Sequence, residues 1–353
     1  MNDILLLAED ELFKPQKLGG GGRYVKAMAK FIPIIAKKDI DIEFLKLPKI
    51  KIIPNSMQSL VRSVMDSYNS KIIHNLVGCV VPKRGRSRVI TTAHEFREFT
   101  FSNSDLKHIT FKEKLYYYFL KKSTRRILSS DFLISNSTQT KDEAIKLGFD
   151  KDRVFVVNHG VEDKFILNKP KQHKNKIFTV GYLDTLRPVK ITIFIKALPT
   201  LYQIDKNVDI HIYGSGLNTY NFGIDELKIL NSFIAKKFVT LKGFAPEQKI
   251  INIYDSFDAF VFPSLYEGFG LPILEAQARG LPVILYKYGK IPKEVRKYCF
   301  EAESPEHMAQ IIENLKENGY NEKLRKKATE YARSFTWEKC ARETLKVYKK
   351  VLN

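Results

Sequence analysis

The feature that most restricts the fold of this chain is a repeated alternation of short β-branched, apolar runs with longer segments of helical spacing. In the first half the runs are "ILLLA" (4–8), "RVITTA" (88–93), "FLIS" (132–135) and "RVFVV" (153–157). In the second they are "KIFTV" (176–180), "VDIHIY" (208–213), "FVTL" (238–241), "DAFVF" (258–262) and "PVILY" (282–286). Strands separated by helices pair in parallel, so the expected fold class is α/β. A parallel sheet ends all its strands on one edge, and ligands of open α/β sheets collect outside that carboxyl edge. Most of the unusual residues follow a strand: the run Gly19 to Gly22 after the first, His94 directly after "RVITTA", then Gly181, Arg187 and Lys190, then Gly214 and Gly216, and finally Glu267.

A chain of 353 residues is comfortable as two domains. The stretch "LNKPKQHKNK" (167–176) is polar, cationic and poor in apolar residues, which makes it the natural linker. The expected division is residues 1–168 and 169–335. Residues 336–353 follow as a C-terminal helix, opened by Thr336 as N-cap, that packs back on the first domain. If each half forms one sheet and the sheets face each other, the residues after the strands converge on a single interdomain cleft.

Composition sets limits on partners. The sequence is 44% hydrophobic and 28% charged, as folded proteins are, and carries a formal charge of +20. Such a charge leaves anionic ligands, anionic lipid surfaces and nucleic acids open without bearing on fold. Residues 81–126 hold twelve Lys/Arg against four Asp/Glu, including "PKRGRSR" (82–88) and the aromatic-interleaved "FKEKLYYYFLKKSTRR" (111–126). This segment reads either as a face for an anionic membrane surface or as a solvated basic helix face with its aromatic rings turned inward. Three cysteines without paired spacing, no signal-peptide pattern and no apolar run near the ~20 residues of a membrane span point to a cytoplasmic protein, peripheral on the inner membrane face if the basic segment binds lipid. Nucleic acid is the less favoured partner, because no RNP, zinc-finger or helix-turn-helix string accompanies the charge.

The stretch "YEGFGLPILEAQARGLPV" (266–283) carries the most chemistry. Pro272 suits a first helical turn, so a helix is expected to begin near Leu271, with the Gly-Phe-Gly turn presenting backbone N–H groups at its N-terminus. Such a terminus receives anions or polar oxygens. Glu267 before the turn and Glu275 inside the helix are better suited to hydroxyl groups than to phosphate, since a carboxylate accepts hydrogen bonds from a vicinal pair of hydroxyls. That arrangement suits a ligand with sugar hydroxyls at both ends and a diphosphate between them. The plainer alternative is a capping acid and an ordinary helix glutamate.

The segment "PSLYEGFGLPILEAQARGLPVI" resembles the signature of the family 4 retaining glycosyltransferases, which have the GT-B fold of two Rossmann-like parallel-sheet domains facing an interdomain cleft. "VFVVNHGVEDKF" (154–165), "VDIHIYGSG" (208–216) and "FTWEKCARETLKVY" (335–348) are similar to further segments of that family. The match covers 154–350 well and touches the first half only at the glycine run, His94 and "ISNSTQT". The resemblance implies a nucleotide-sugar donor such as a UDP- or GDP-sugar as substrate, no cofactor, an acceptor the sequence does not identify, and transfer with retention. It makes Glu267 the contact to the donor sugar and Glu275 the ribose contact, and brings the backbone N–H groups of Phe269, Gly270 and Leu271 to the sugar or phosphate. Gly20, Gly21 and Gly214 are the expected glycine contacts to the donor, and His94 faces the donor sugar, there to orient a hydroxyl or relay a proton. Four glycines are equally consistent with a flexible loop, and a loop histidine with a backbone partner.

This sequence departs from the family at one place. Where the family has arginine after its strand-ending glycine there is Tyr182, and the cations come later, at Arg187 and Lys190, either or both of which are left to hold the diphosphate. Placed cations stabilise a leaving nucleoside diphosphate without metal. The strings Asp39-Ile40-Asp41 and Asp150-Lys151-Asp152 are the alternative metal reading, but both precede strands. The competing functions are a sugar-nucleotide epimerase of the same fold and a basic nucleic-acid-binding protein.

Overall fold

A computed structural model describes residues 3–9, 19–37, 40–47, 67–77, 86–100, 121, 124–167, 177–217 and 222–353. The chain forms two compact units, Met1–Gly160 together with Phe335–Asn353, and Val161–Ser334. The boundary falls ahead of the cationic stretch at 167–176 for a packing reason. Phe165 is fully buried, its ring lies edge-on to Tyr254 at 5.7 Å, and its carbonyl accepts a hydrogen bond from Arg279, all within the second unit. Most of the basic segment 81–126, including residues 101–120, lies outside the described residues, as does Asp39.

The first unit contains a six-stranded sheet of β1 (Ile4–Glu9), β2 (Ile42–Leu47), β3 (Ile72–Asn75), β4 (Arg88–Ala93), β5 (Phe132–Ser135) and β6 (Val154–Val156), in the order β2-β1-β3-β4-β5-β6. The second contains β7 (Phe178–Leu183), β8 (Val208–Tyr213), β9 (Val239–Gly243), β10 (Ala259–Phe262), β11 (Val283–Tyr286) and β12 (Phe300–Ala302), in the order β12-β11-β10-β7-β8-β9. Every strand pair is parallel. The second sheet therefore has its topological switch between β7 and β10, where a ligand crevice is expected at the carboxyl ends.

Three strands are not marked by the sequence pattern: β2, β3 and β12. β3 ends in His74 and Asn75, both buried polar residues, and β12 has three residues. β7 runs past Gly181 to Leu183 instead of ending at Val180. Tyr182 is fully buried and pairs with Ile212 of β8, and a Cβ on Gly181 would lie 2.2 Å from the Phe257 ring. Glycine there admits an aromatic ring against the strand.

The second core is aliphatic and aromatic, built from Val180, Ile195, Leu198, Ile210, Phe233, Val261 and Ile284 among others. The first unit adds a polar seam. The helix Trp337–Leu352, capped by Thr336 at Lys339 N, packs on the helix Gly20–Ala36. Its Tyr348 hydroxyl meets His74 Nδ1 at 2.5 Å, His74 Nε2 meets Thr92 Oγ1 at 2.8 Å, and Tyr24 hydroxyl meets the same Thr92 oxygen at 2.9 Å. Arg88 closes the seam by donating to the Val351 carbonyl. Four buried side chains thus satisfy one another across the terminal helix, the sheet and the first helix, and losing one partner strands the next.

Burial, reinforced by the charge of nearby His94, lowers His74 to about 3. An unfolded histidine titrates near ~6.5, so on acidification the unfolded chain binds the proton first and stability falls as pH drops below that value. Urea denaturation is expected to show a loss of about 2 kcal/mol per such histidine between pH 7 and pH 5. The pH slope should be shallower by one histidine's share in His74→Gln.

Candidate active site

The second unit's switch point brings two strand ends together. After β10 the chain is pinned by Leu265 N to Val189 O (2.8 Å), Lys290 N to Leu265 O (2.9 Å) and Glu267 N to Lys290 O (2.9 Å). After β7 the loop from Asp184 leads into the helix Pro188–Ile204, with Arg187 as N-cap and Pro188 in the first turn. Lys190, also in that turn, donates from Nζ to Asp184 Oδ2 at 2.8 Å and to Glu267 Oε1. The other Asp184 oxygen accepts from Thr185 N at 2.6 Å. Asp184, Lys190 and Glu267 form a shielded triad whose side chains are 20%, 12% and 11% exposed.

One cation faces two carboxylates. Burial opposes the charge of Lys190, but Asp184 and Glu267 outweigh it and hold the ammonium well above the usual lysine range. Burial raises the Glu267 carboxyl above its ordinary value; Lys190 pulls it back, and the Asp184 charge adds to the rise. A hydrogen bond from Ser264 also favours the ionised form.

The Gly-Phe-Gly turn takes the shape its residues require. Gly270 has φ 100° and ψ 51°, a left-handed conformation that strains any side chain, and caps the helix Leu271–Ala278 with Pro272 in its first turn. The side chains of Phe269 and Leu271 are buried, so only their backbone remains for a ligand. Glu275 is 2% exposed and accepts from the Tyr254 hydroxyl at 2.9 Å. One turn on, Arg279 forms a two-pronged pair with Asp255, both bonds at 2.8 Å, and reaches the Phe165 carbonyl at 3.4 Å. These two rungs fix the helix against Ile250–Tyr254. Sequence reasoning missed Asp184, Tyr254, Asp255 and Arg279. Only Asp184, directly after a strand, has a positional signal.

Gly214 has a packing role that is visible directly. A Cβ there would lie 2.1 Å from the Asp184 carbonyl oxygen, and its N–H donates to Gly243 O at 2.8 Å. It seats the loop that carries Asp184.

In the first unit, Gly19 is the N-cap of the helix Gly20–Ala36 and Gly20 is exposed in its first turn. A Cβ on Gly19 or Gly21 would meet nothing within 4 Å, so the fold itself does not demand glycine at either position. His94 follows β4 and bonds through Nε2 to Leu76 O at 2.9 Å. The carbonyl can only accept, so Nε2 carries the proton and Nδ1 is the accepting nitrogen. His94 also contacts Tyr24 edge-on at 5.1 Å and His159 at 5.2 Å. Burial lowers its pKa, while the Leu76 bond and Glu95 oppose that shift, so the imidazole is held neutral.

Two Rossmann-like parallel-sheet units, with a carboxylate and a cation joined at the second unit's switch point, define an enzyme of the glycosyltransferase class with the GT-B fold. The family description "Glycosyl transferases group 1" matches residues 162–335 and "Glycosyltransferase Family 4" matches residues 37–165. The chain belongs to the GT-B glycosyltransferases of the family 4 type. It is 25% identical over 277 residues to the O-antigen chain mannosyltransferase B of Escherichia coli, covering 74% of this chain and 70% of that one. It is 26% identical over 243 residues to the D-inositol 3-phosphate glycosyltransferase of Rhodococcus jostii, covering 63% of this chain but only 53% of that protein. The structure of Anabaena HepE in complex with UDP and glucose superimposes with a TM-score of 0.68 at 19% identity, covering 99% of this chain and 100% of that one. These likenesses favour neither the epimerase nor the nucleic-acid reading. Among the described residues, no helix is long and apolar enough to cross a membrane.

Gly214→Ala is expected to cost about 1–3 kcal/mol in urea denaturation, the range for forcing extra volume into a packed site. Gly21→Ala should be neutral or stabilising by up to about 1 kcal/mol, because alanine is the better helix former and space is open.

Proposed function

We propose that this glycosyltransferase moves a sugar from a nucleotide-sugar donor to an acceptor hydroxyl, without metal and with retention at the anomeric carbon. The observation that carries the reading is the buried contact of Lys190 with Glu267 at the carboxyl ends of β7 and β10. A carboxylate suited to sugar hydroxyls next to cations suited to a leaving diphosphate supports this reading. Glu267 engages the donor sugar, Glu275 the ribose, and the N-terminus of Leu271–Ala278 the sugar or phosphate oxygens. The charge on the leaving group falls to the cations after β7, to Arg187, to Lys190 or to both. Gly20 and Gly21 border the donor with unobstructed backbone. His94, neutral and with Nδ1 as acceptor, is suited to take a hydrogen bond from a sugar hydroxyl.

Support for the donor class comes from the family match and from HepE, whose structure holds UDP and glucose. Retention rests on the family resemblance. The metal-free reading is supported by what Asp150 does: it caps the turn Lys151–Arg153, accepting from Asp152 N at 2.9 Å, which is structural work ahead of β6.

Thermal shift with UDP-, GDP- and ADP-linked sugars tests the proposal. One nucleotide class should raise the melting point by mass action, equally with and without a chelator. Glu275→Ala should diminish the shift. Stabilisation that a chelator abolishes would defeat the metal-free reading, and epimerised donor formed without an acceptor would defeat the transferase reading.

A further inference from the structure

Building on the donor reading above, in which Glu275 meets the ribose, we propose that Tyr254 is a positioning residue for Glu275 and that its grip makes the site selective for ribonucleotide over 2′-deoxyribonucleotide donors.

Glu275 lies inside the helix Leu271–Ala278 and is 2% exposed, and the phenol of Tyr254, itself fully buried, donates to its Oε2 at 2.9 Å. Hydrogen bonds to a charged acceptor are stronger than those between neutral groups, so the carboxylate turns only by giving up a strong contact. Its direction is therefore set. Each carboxylate oxygen accepts up to two hydrogen bonds, and the Tyr254 bond does not close Oε2 to a second donor.

The phenol is held in turn from three sides. Its ring stands edge-on to Phe165 at 5.7 Å and to Phe257 at 6.4 Å, and Phe260 lies tilted against it at 5.4 Å. The next residue, Asp255, grips Arg279 with two bonds of 2.8 Å, and Arg279 reaches the Phe165 carbonyl at 3.4 Å. Glu275 and Arg279 are four apart on one helix and share a face, so the two rungs stand side by side. Phe165 joins this cluster through both ring and carbonyl. It stands just ahead of the cationic stretch 167–176, which makes the connecting segment part of the support behind Glu275.

Selection against deoxyribose follows from the chemistry of a held acceptor. A carboxylate free to turn replaces a missing 2′-hydroxyl by settling on the 3′-hydroxyl or on water. One that is buried and clamped cannot, and the lost partner leaves a charged oxygen poorly satisfied.

Calorimetric titration of the full chain with UDP, GDP and ADP, each paired with its 2′-deoxy counterpart, supplies the test. If wild type binds none of the ribonucleotides, the donor reading falls and this proposal falls with it. With the base that binds, wild type should hold the ribonucleotide about 10-fold or more tighter than the deoxy form, the loss of one charged hydrogen bond. Tyr254→Phe removes one oxygen and keeps the ring. It should cut that ratio by about 5-fold or more while leaving the Kd of the deoxy form within about 3-fold, whereas a merely structural role would weaken both ligands alike. Phe165→Leu keeps the hydroxyl but loosens the ring that carries it; it should cut the ratio in part, and it reports where Tyr254→Phe does not fold. A wild type that does not distinguish the two forms, or a ratio unchanged in the variant that folds, would overturn the assignment while leaving the nucleotide donor intact.

Discussion

The contact between Lys190 and Glu267, 77 residues apart in the sequence, ties together the segments that follow two strands neighbouring in the sheet. Parallel pairing makes such a contact available, because β7 and β10 end on the same edge and their following loops rise together. Shielding gives it its strength. An exposed lysine–glutamate pair contributes little, whereas one whose side chains are 12% and 11% exposed is screened poorly by water. The same shielding makes the surplus carboxylate costly, and the bonds from Thr185 and Ser264 partly offset that cost.

The first unit handles burial differently. The core of its seam, His74, Thr92, Tyr24 and Tyr348, is kept neutral, and the links among these four are hydrogen bonds between uncharged groups. Neutrality avoids the desolvation cost of ions, but it makes the seam sensitive to acid, since protonating His74 would place a charge where nothing compensates it. His94 lies at the edge of this neutral region, and the Leu76 carbonyl sets its tautomer. The terminal helix is therefore part of what orders the ground around His94, although Tyr348 lies at the far end of the chain.

Much of the fold was legible because parallel strands buried on both faces read as continuous apolar runs; β1, β4, β5, β10 and β11 are of this kind, while β8 showed itself by alternation of Val208, Ile210 and Ile212 with half-buried residues. β3 was not, since His74 and Asn75 break the run and the hydrogen-bond partners of His74, Thr92 and Tyr348, lie elsewhere in the sequence. β7 was read short because Gly181 looks like a strand end and is in fact a gap filled by Phe257. At the site, the helix start at Leu271 and the tight glycine turn ahead of it followed from spacing and residue type, whereas the pairing of Lys190 with Glu267 did not. The role of Asp184 did not follow, because its partner is set by how the β7 loop lies against Gly214, and a loop path of that kind is fixed by tertiary packing. Tyr254 was hidden for a similar reason: it reaches Glu275 across helices 21 residues apart in sequence.

The charge of +20 invites the idea that anionic ligands are drawn to this protein by a general excess of lysine and arginine. The triad argues against that idea as an account of the site. There, carboxylates outnumber the one ammonium they surround, and the buried Arg279 is spent on Asp255. Net charge describes the long-range field, which can raise the rate of encounter with an anionic donor. Selection of the ligand is a local matter, governed by which groups keep hydrogen-bonding capacity once the fold has made its own pairs. In this enzyme the loop after β7 commits its lysine to the carboxylate that follows β10, so the fold has paired that cation before any ligand arrives.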